Sequence, residues 1–152
     1  MIYYRSDGIV EWSDLLRTTN SALLVSSYLH SLLNELCPQY SSWESRILDE
    51  DGTLFEKEYF SINIETTAEV LNLEKTRCYK DYDCPGYKPG YPYLSLFDKI
   101  VLSKKLIKNL NADYHLFRMA EQTTIMICDE YAKNLLEKNK ITGVKYTELK
   151  VK

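Results

Sequence analysis

The last quarter of the chain, from Thr124 to Leu149, reads as a strand, a helix, a turn and a second strand in close succession. Ile125–Cys128 is an apolar strand, and Asp129 is suited to cap the helix that follows. Tyr131, Ala132, Leu135 and Leu136 recur at one-, three- and four-residue steps, so they are expected to form one buried helical stripe. Gly143 supplies a turn, and Val144–Leu149 is expected to be the closing strand. A fainter copy runs from Ala22 to Leu36. Its strand is Ala22–Val25, its cap is Ser26 or Ser27, and its stripe is Tyr28, Leu29, Leu32, Leu33 and Leu36. Pro38 ends that helix. An offset of 103 residues lays Tyr28 on Tyr131, Leu32 on Leu135, Leu33 on Leu136 and Ser26 on Asp129. Duplication of one unit and chance alignment of two amphipathic helices both account for this match.

Between the cassettes the pattern is mainly extended. Ile2–Tyr4 reads as a short edge strand, Trp43–Leu48 as a strand, and Asp51-Gly52 as a hairpin-type turn. Tyr59–Ile64 alternates with period two, which sets Tyr59, Ser61 and Asn63 opposite Phe60, Ile62 and Ile64. Thr67–Leu73 is compatible with a short helix, and Leu96–Leu102 and Tyr114–Met119 with strands. The expected fold is therefore α+β in a single domain over residues 1–152. A mostly antiparallel sheet carries two main helices, Ser27–Leu36 and Asp129–Asn139.

Composition narrows the function. A hydrophobic share of 45% with 27% charged residues is that of a globular chain. The net charge of −3 argues against a general nucleic-acid binder, which neutralises phosphates with clustered Lys and Arg. The start, Met1-Ile-Tyr-Tyr-Arg-Ser-Asp7, is too polar for a secretory h-region, and no apolar run reaches membrane-span length. Cys37, Cys78, Cys84 and Cys128 show neither a CxxC nor a Cys/His zinc spacing. A reduced, cytoplasmic protein without metal or cofactor is the expectation, with Cys128 in the core and Cys78 and Cys84 as free thiols.

Three features carry candidate chemistry. The segment Tyr79–Tyr93 holds five of the thirteen tyrosines, three of the four prolines and two of the five glycines. Tyrosine offers contact area at low entropy cost, and proline limits the freedom lost on binding. Tyr82, Tyr87 and Tyr91, flanked by Asp81 and Asp83, are thus the expected partner-binding residues; the competing reading packs these rings back on the domain. The acidic run Asp49-Glu50-Asp51, with Glu56 and Glu58, suits a basic partner, but charged turns of this kind are usually just solvated. His30 falls on the polar side of its helix. His115 lies beside Asp113, and with Ser103 would complete a triad, yet the chain has no nucleophile elbow or Gly-rich oxyanion turn. Arg118 is expected to make an ion pair or to bond a backbone carbonyl.

The order of four further pieces resembles the immunity-protein domains of bacterial polymorphic toxin systems. They are Glu58-Tyr-Phe-Ser-Ile-Asn-Ile64, Val70-Leu-Asn-Leu-Glu-Lys-Thr76, Asp98-Lys-Ile-Val-Leu102 with His115-Leu-Phe-Arg118, and the tail from Ile125–Cys128 through Asn139-Lys-Ile-Thr-Gly-Val-Lys-Tyr146. The Leu-Phe-Arg element and the Thr-Gly-Val tail are the most specific. Asn72 and Thr76 stand where that family tends to have Asp and Ser, and the Tyr79–Tyr93 segment has no counterpart there. The resemblance implies a non-enzymatic cytoplasmic antidote that binds and neutralises a cognate toxin C-terminal domain. Two other readings remain beside it: an interaction module without a present toxin partner, and a small hydrolase using His115.

Overall fold

The structure is a computed structural model and describes residues 2–5, 13–18, 22–48, 51–78 and 97–152, with the backbone alone at 2–5, 78, 97 and 98. In chain order the elements are β1 (Ile2–Arg5), β2 (Leu15–Arg17), β3 (Leu23–Ser26), α1 (Ser27–Leu36), β4 (Tyr40–Leu48) and β5 (Tyr59–Ile64). There follow β6 (Thr67–Ala68), β7 (Arg77–Cys78), β8 (Phe97–Lys99), β9 (Val101–Leu102) and α2 (Lys104–Lys108). The chain closes with β10 (Leu116–Met119), β11 (Gln122–Cys128), α3 (Glu130–Lys138) and β12 (Lys150–Val151). A five-stranded sheet runs β1-β4-β5-β3-β2, antiparallel except for β1 on β4; a smaller sheet runs β11-β10-β6, and β12-β9 and β7-β8 form two-stranded pairs. This is the α+β class, with α1 and α3 as its main helices.

Register explains the core. Leu23 pairs with Ile62 and Val25 with Phe60, so these side chains share one face of the large sheet. Leu29, Leu33 and Leu36 of α1 and Ala132 and Leu136 of α3 close over that face, together with Leu116 of β10. Each fully buried leucine contributes about 1.5–3 kcal/mol relative to exposure. The alternation in β5 holds, but its second face is also covered. Tyr59 is fully buried and packs with Leu24 and Ile47. A third cluster, around Phe117, Met119, Val70 and Leu102, lies under the small sheet.

Both helices start where the sequence sets them. The Ser26 hydroxyl accepts the Leu29 N–H at 3.2 Å, and Asp129 Oδ1 accepts the Ala132 N–H at 2.9 Å. From Ser27 to Glu35 and from Glu130 to Lys138 the degree of burial agrees position by position. The expected stripes need one correction. Their leucines and Ala132 turn inward, but Tyr28 and Tyr131 are 50% and 48% exposed. Each tyrosine precedes a buried residue by one position, roughly 100° around the helix, and so falls outside the inward arc.

Two expected elements are absent. Thr67–Leu73 is not helical: Thr67 and Ala68 pair with β10, and the next turn of chain is held by the buried Glu121, whose Oε1 accepts the N–H groups of Val70 and Leu71 at 2.9 and 2.8 Å. Val144–Leu149 forms no strand either, and pairing resumes only when Lys150 meets Val101. A β-competent sequence becomes a strand only where a neighbour offers a hydrogen-bonding edge, and among the described residues none is bonded to this segment. Helix α2 has no counterpart among the elements expected from the sequence.

The end of α3, at Asn139 as expected, is closed without a glycine. Lys140 takes the left-handed conformation, with φ 55°. Its N–H donates to Glu137 O, and that of Ile141 donates to Leu136 O, which makes a Schellman closure. Gly143, three residues on, serves a different contact. Its φ is +82°, and a Cβ there would lie 2.2 Å from the Leu15 carbonyl oxygen. Gly52 has a similar φ of +86° but open space around it. Gly52→Ala should therefore cost only the conformational term, about 1–2 kcal/mol, whereas Gly143→Ala should cost clearly more because β2 must also move. Denaturant unfolding of the two variants side by side checks this, and equal losses would contradict it.

Candidate interaction surfaces

The Thr-Gly of the tail belongs to a polar junction centred on Asp14. Asp14 Oδ1 accepts the Ser26 hydroxyl at 2.7 Å. Its Oδ2 accepts the Thr142 N–H at 2.9 Å and the Thr142 hydroxyl at 2.8 Å. The Asp14 N–H returns a bond to Thr142 Oγ1, the Leu15 N–H donates to Thr142 O, and the Ser26 N–H donates to Asp14 O. One carboxylate thus ties the entry of β2, the cap of α1 and the chain leaving α3. Burial by itself would raise this carboxyl, but the bonds from Thr142 and Ser26 outweigh it and leave it below its ordinary value of 3.8.

Other polar groups are committed in the same way. The Arg118 Nε–H donates to Ile64 O at 2.9 Å and its Nη1 to Thr123 O at 2.7 Å, so the backbone-carbonyl role is the one it plays and the two sheets are riveted together. Glu121, 3% exposed, holds the Val70–Leu71 turn through Oε1. His115 does not pair with Asp113. Its Nδ1 lies 2.8 Å from Asp129 Oδ2, and its ring rests 4.4 Å from that of Tyr131. Asp129 uses its other oxygen to cap α3, and Ser103 caps α2 by accepting the Leu106 N–H. Ser103, Asp113 and His115 are therefore not assembled as a triad. His30 is likewise not on a free polar face. It stacks on Phe60 at 4.0 Å and sits 3.1 Å from Ser42 Oγ, and burial lowers its pKa.

Cys37 and Cys128, and Asp51 and Glu58 of the acidic stretch, are likewise committed. Cys37 is buried, and burial pushes its thiol up to about 11. Burial and then the nearby Asp129 raise Cys128. Both lie far from the thiolate form that reacts. Among the described residues no group of three or more His, Cys, Asp or Glu is placed to hold a metal ion. Asp51 accepts the Thr53 N–H at its turn, and Glu58 pairs with Arg46 at 2.9 Å. A cavity of about 380 Å³ lies between the large sheet, the helices and the tail; its lining is mostly apolar, including Leu15, Leu33, Leu116 and Met126, with Arg17 and Lys145 among the polar exceptions.

The expected partner-binding residues Tyr82, Tyr87, Tyr91, Asp81 and Asp83 lie outside the described residues, as do Asp49, Glu50 and Cys84. The strands that lead into and out of that stretch, β7 and β8, pair antiparallel. Nothing in the sequence marks Asp14 or Glu121. Each is an ordinary acidic residue whose role depends on chain partners 128 and about 50 residues away.

The carboxylate form of Asp14 is favoured by folding. Its contribution is full above pH 3.8 and is lost as pH falls through its lower folded value. Asp14→Ala should destabilise the protein by about 1–2 kcal/mol at pH 7, and the gap to the unsubstituted protein should narrow below pH 3.8. Urea melts of both proteins between pH 7 and pH 3 read this directly, and a gap independent of pH would contradict it.

These contacts commit the described internal polar groups to the fold. No curated protein matches the chain. The family model described as Immunity protein family (Imm11) matches residues 1–151, the length of the chain but for its last residue. The chain belongs to the Imm11 immunity protein family.

Proposed function

We propose that the protein is a cytoplasmic antidote of a polymorphic toxin system, binding the C-terminal domain of its cognate toxin one to one and blocking it without catalysis. Family membership across residues 1–151 carries this reading. The site geometry supports it, since His115, Ser103, Arg118 and Glu121 are engaged in capping and bridging. Among the described residues no helix is long and apolar enough to cross a membrane. Neutralisation by binding requires a stable scaffold and a specific surface, and the chemistry of Tyr82, Tyr87 and Tyr91 with Asp81 and Asp83 suits such a surface.

Two experiments test the proposal. Co-expression with its cognate toxin domain should rescue growth, and His115→Gln should rescue equally well because no proton transfer is involved. Loss of rescue by a folded His115→Gln protein would favour an enzyme instead. Replacing Tyr82, Tyr87 and Tyr91 by Ala, singly and together, should weaken toxin binding by about 2 kcal/mol or more at a buried anchor while leaving the melting temperature unchanged. Unchanged affinity in the triple variant would exclude these residues as contacts, and a collapse in melting temperature would show that they roof the core.

A further inference from the structure

The chain is acidic overall, with a net charge of −3, yet the tertiary structure gathers lysines around one strand. Lys99 ends β8, two residues before Val101 of β9. Lys104, Lys105 and Lys108 occupy α2, which follows β9 after the single residue Ser103. Lys150 and Lys152 come from the far end of the chain: β12 pairs with β9 through Lys150–Val101, the Lys152 N–H donates to Leu102 O, and the Lys104 N–H donates to Lys152 O at 3.0 Å. All six lysines are exposed. The lysine ion pair found among the described residues, Lys133–Glu137, lies elsewhere. Val101 and Leu102 of β9 are 1% and 5% exposed, so the strand that these lysines surround is fixed in the core.

Like charges gathered around one strand raise the free energy of the free protein and draw in a partner of opposite sign. Glu74 and Glu148 are nearby in sequence, but among the described residues neither forms an ion pair with the patch. We propose that the lysine face of β9, α2 and β12 is a docking surface for an acidic face of the toxin domain. The inference rests on the neutralisation reading above and adds to it the chemistry of the partner and a second place of contact. A protein partner is favoured over nucleic acid because the remainder of the chain is acidic. A long polyanion extending beyond the patch would meet repulsion there. Lysines are also point charges without the planar fork that reads phosphates in pairs.

The test is a set of variants measured against the cognate toxin domain. The variant K104E/K105E/K108E/K150E/K152E reverses five charges, and the matching Lys→Gln set neutralises them. Affinity and association rate are read at low and at physiological salt, with thermal melts as the folding control. The expected result is that the unsubstituted protein binds with a salt-dependent on-rate. The Gln set should slow association, and the Glu set should lower affinity about 10-fold or more and flatten the salt dependence, all at near-unchanged melting temperature. Binding by the unsubstituted protein with both sets unchanged would overturn the lysine face while leaving neutralisation intact. No binding by the unsubstituted protein would overturn the neutralisation reading and this inference with it. If instead a mixed-sequence DNA or RNA duplex binds at physiological salt and the Glu set abolishes that binding, the face serves a nucleic acid and the acidic-protein assignment is wrong.

Discussion

The carboxylate of Asp14 fixes three parts of the chain to one another: the entry of β2, the cap of α1 and the segment that leaves α3. It accepts from Ser26 at the start of α1 and from Thr142 just after α3. The backbone around it pairs with both. The apolar stripes of the two helices set their depth on the sheet, and the short, charge-assisted bonds of this junction add direction to that packing. Gly143 completes the fit, because the chain passes so close to the Leu15 carbonyl that no side chain is accommodated. The Tyr59 hydroxyl, donating to Ser13 O at 3.0 Å, extends the junction through the sheet to its second face.

The two strand–helix cassettes meet at this junction and behave alike up to a point. Ser26 and Asp129 cap their helices by the same bond, and the exposure of the next nine residues runs in parallel. Tyr28 even bridges the two, donating its hydroxyl to Asn139 at 2.7 Å. Their sheet settings differ. β3 lies between β2 and β5, whereas β11 stands at the edge of the smaller sheet. A helix following a strand and closing over a core will show this burial pattern for purely geometric reasons, so the parallel describes local physics and does not require common descent.

Charge has a different distribution from bonding. The ion pairs and charged hydrogen bonds of Asp14, Glu58, Glu121 and Asp129 are consumed internally. Among the described residues, the lysines around β9 enter no such pair. On the neutralisation reading proposed above, the protein has to recognise one partner quickly and hold it. This division of labour meets both needs, since satisfied polar groups keep the scaffold rigid while unpaired charge at the surface steers the encounter.

Much of this is legible in the chain itself. Local capping chemistry and three- and four-residue spacing place α1 and α3 correctly, because an N-cap and an apolar stripe act within a few residues of each other. Period-two alternation likewise places β5. The leucines face inward as their spacing requires, but Tyr28 and Tyr131 do not, since the width of the buried arc is set by what packs against the helix. Thr67–Leu73 fails as a helix because Glu121, about 50 residues away, captures its N–H groups. Val144–Leu149 fails as a strand because the sequence cannot show whether an edge will be waiting. The same distance hides Asp14 and the lysine face. Each depends on residues far apart in sequence, and only the packed chain brings Lys104 beside Lys152 or Asp14 beside Thr142. The sequence alone determined the local elements, whose interactions close within a turn or a pair of residues. The tertiary structure decided every contact whose two halves the chain keeps far apart.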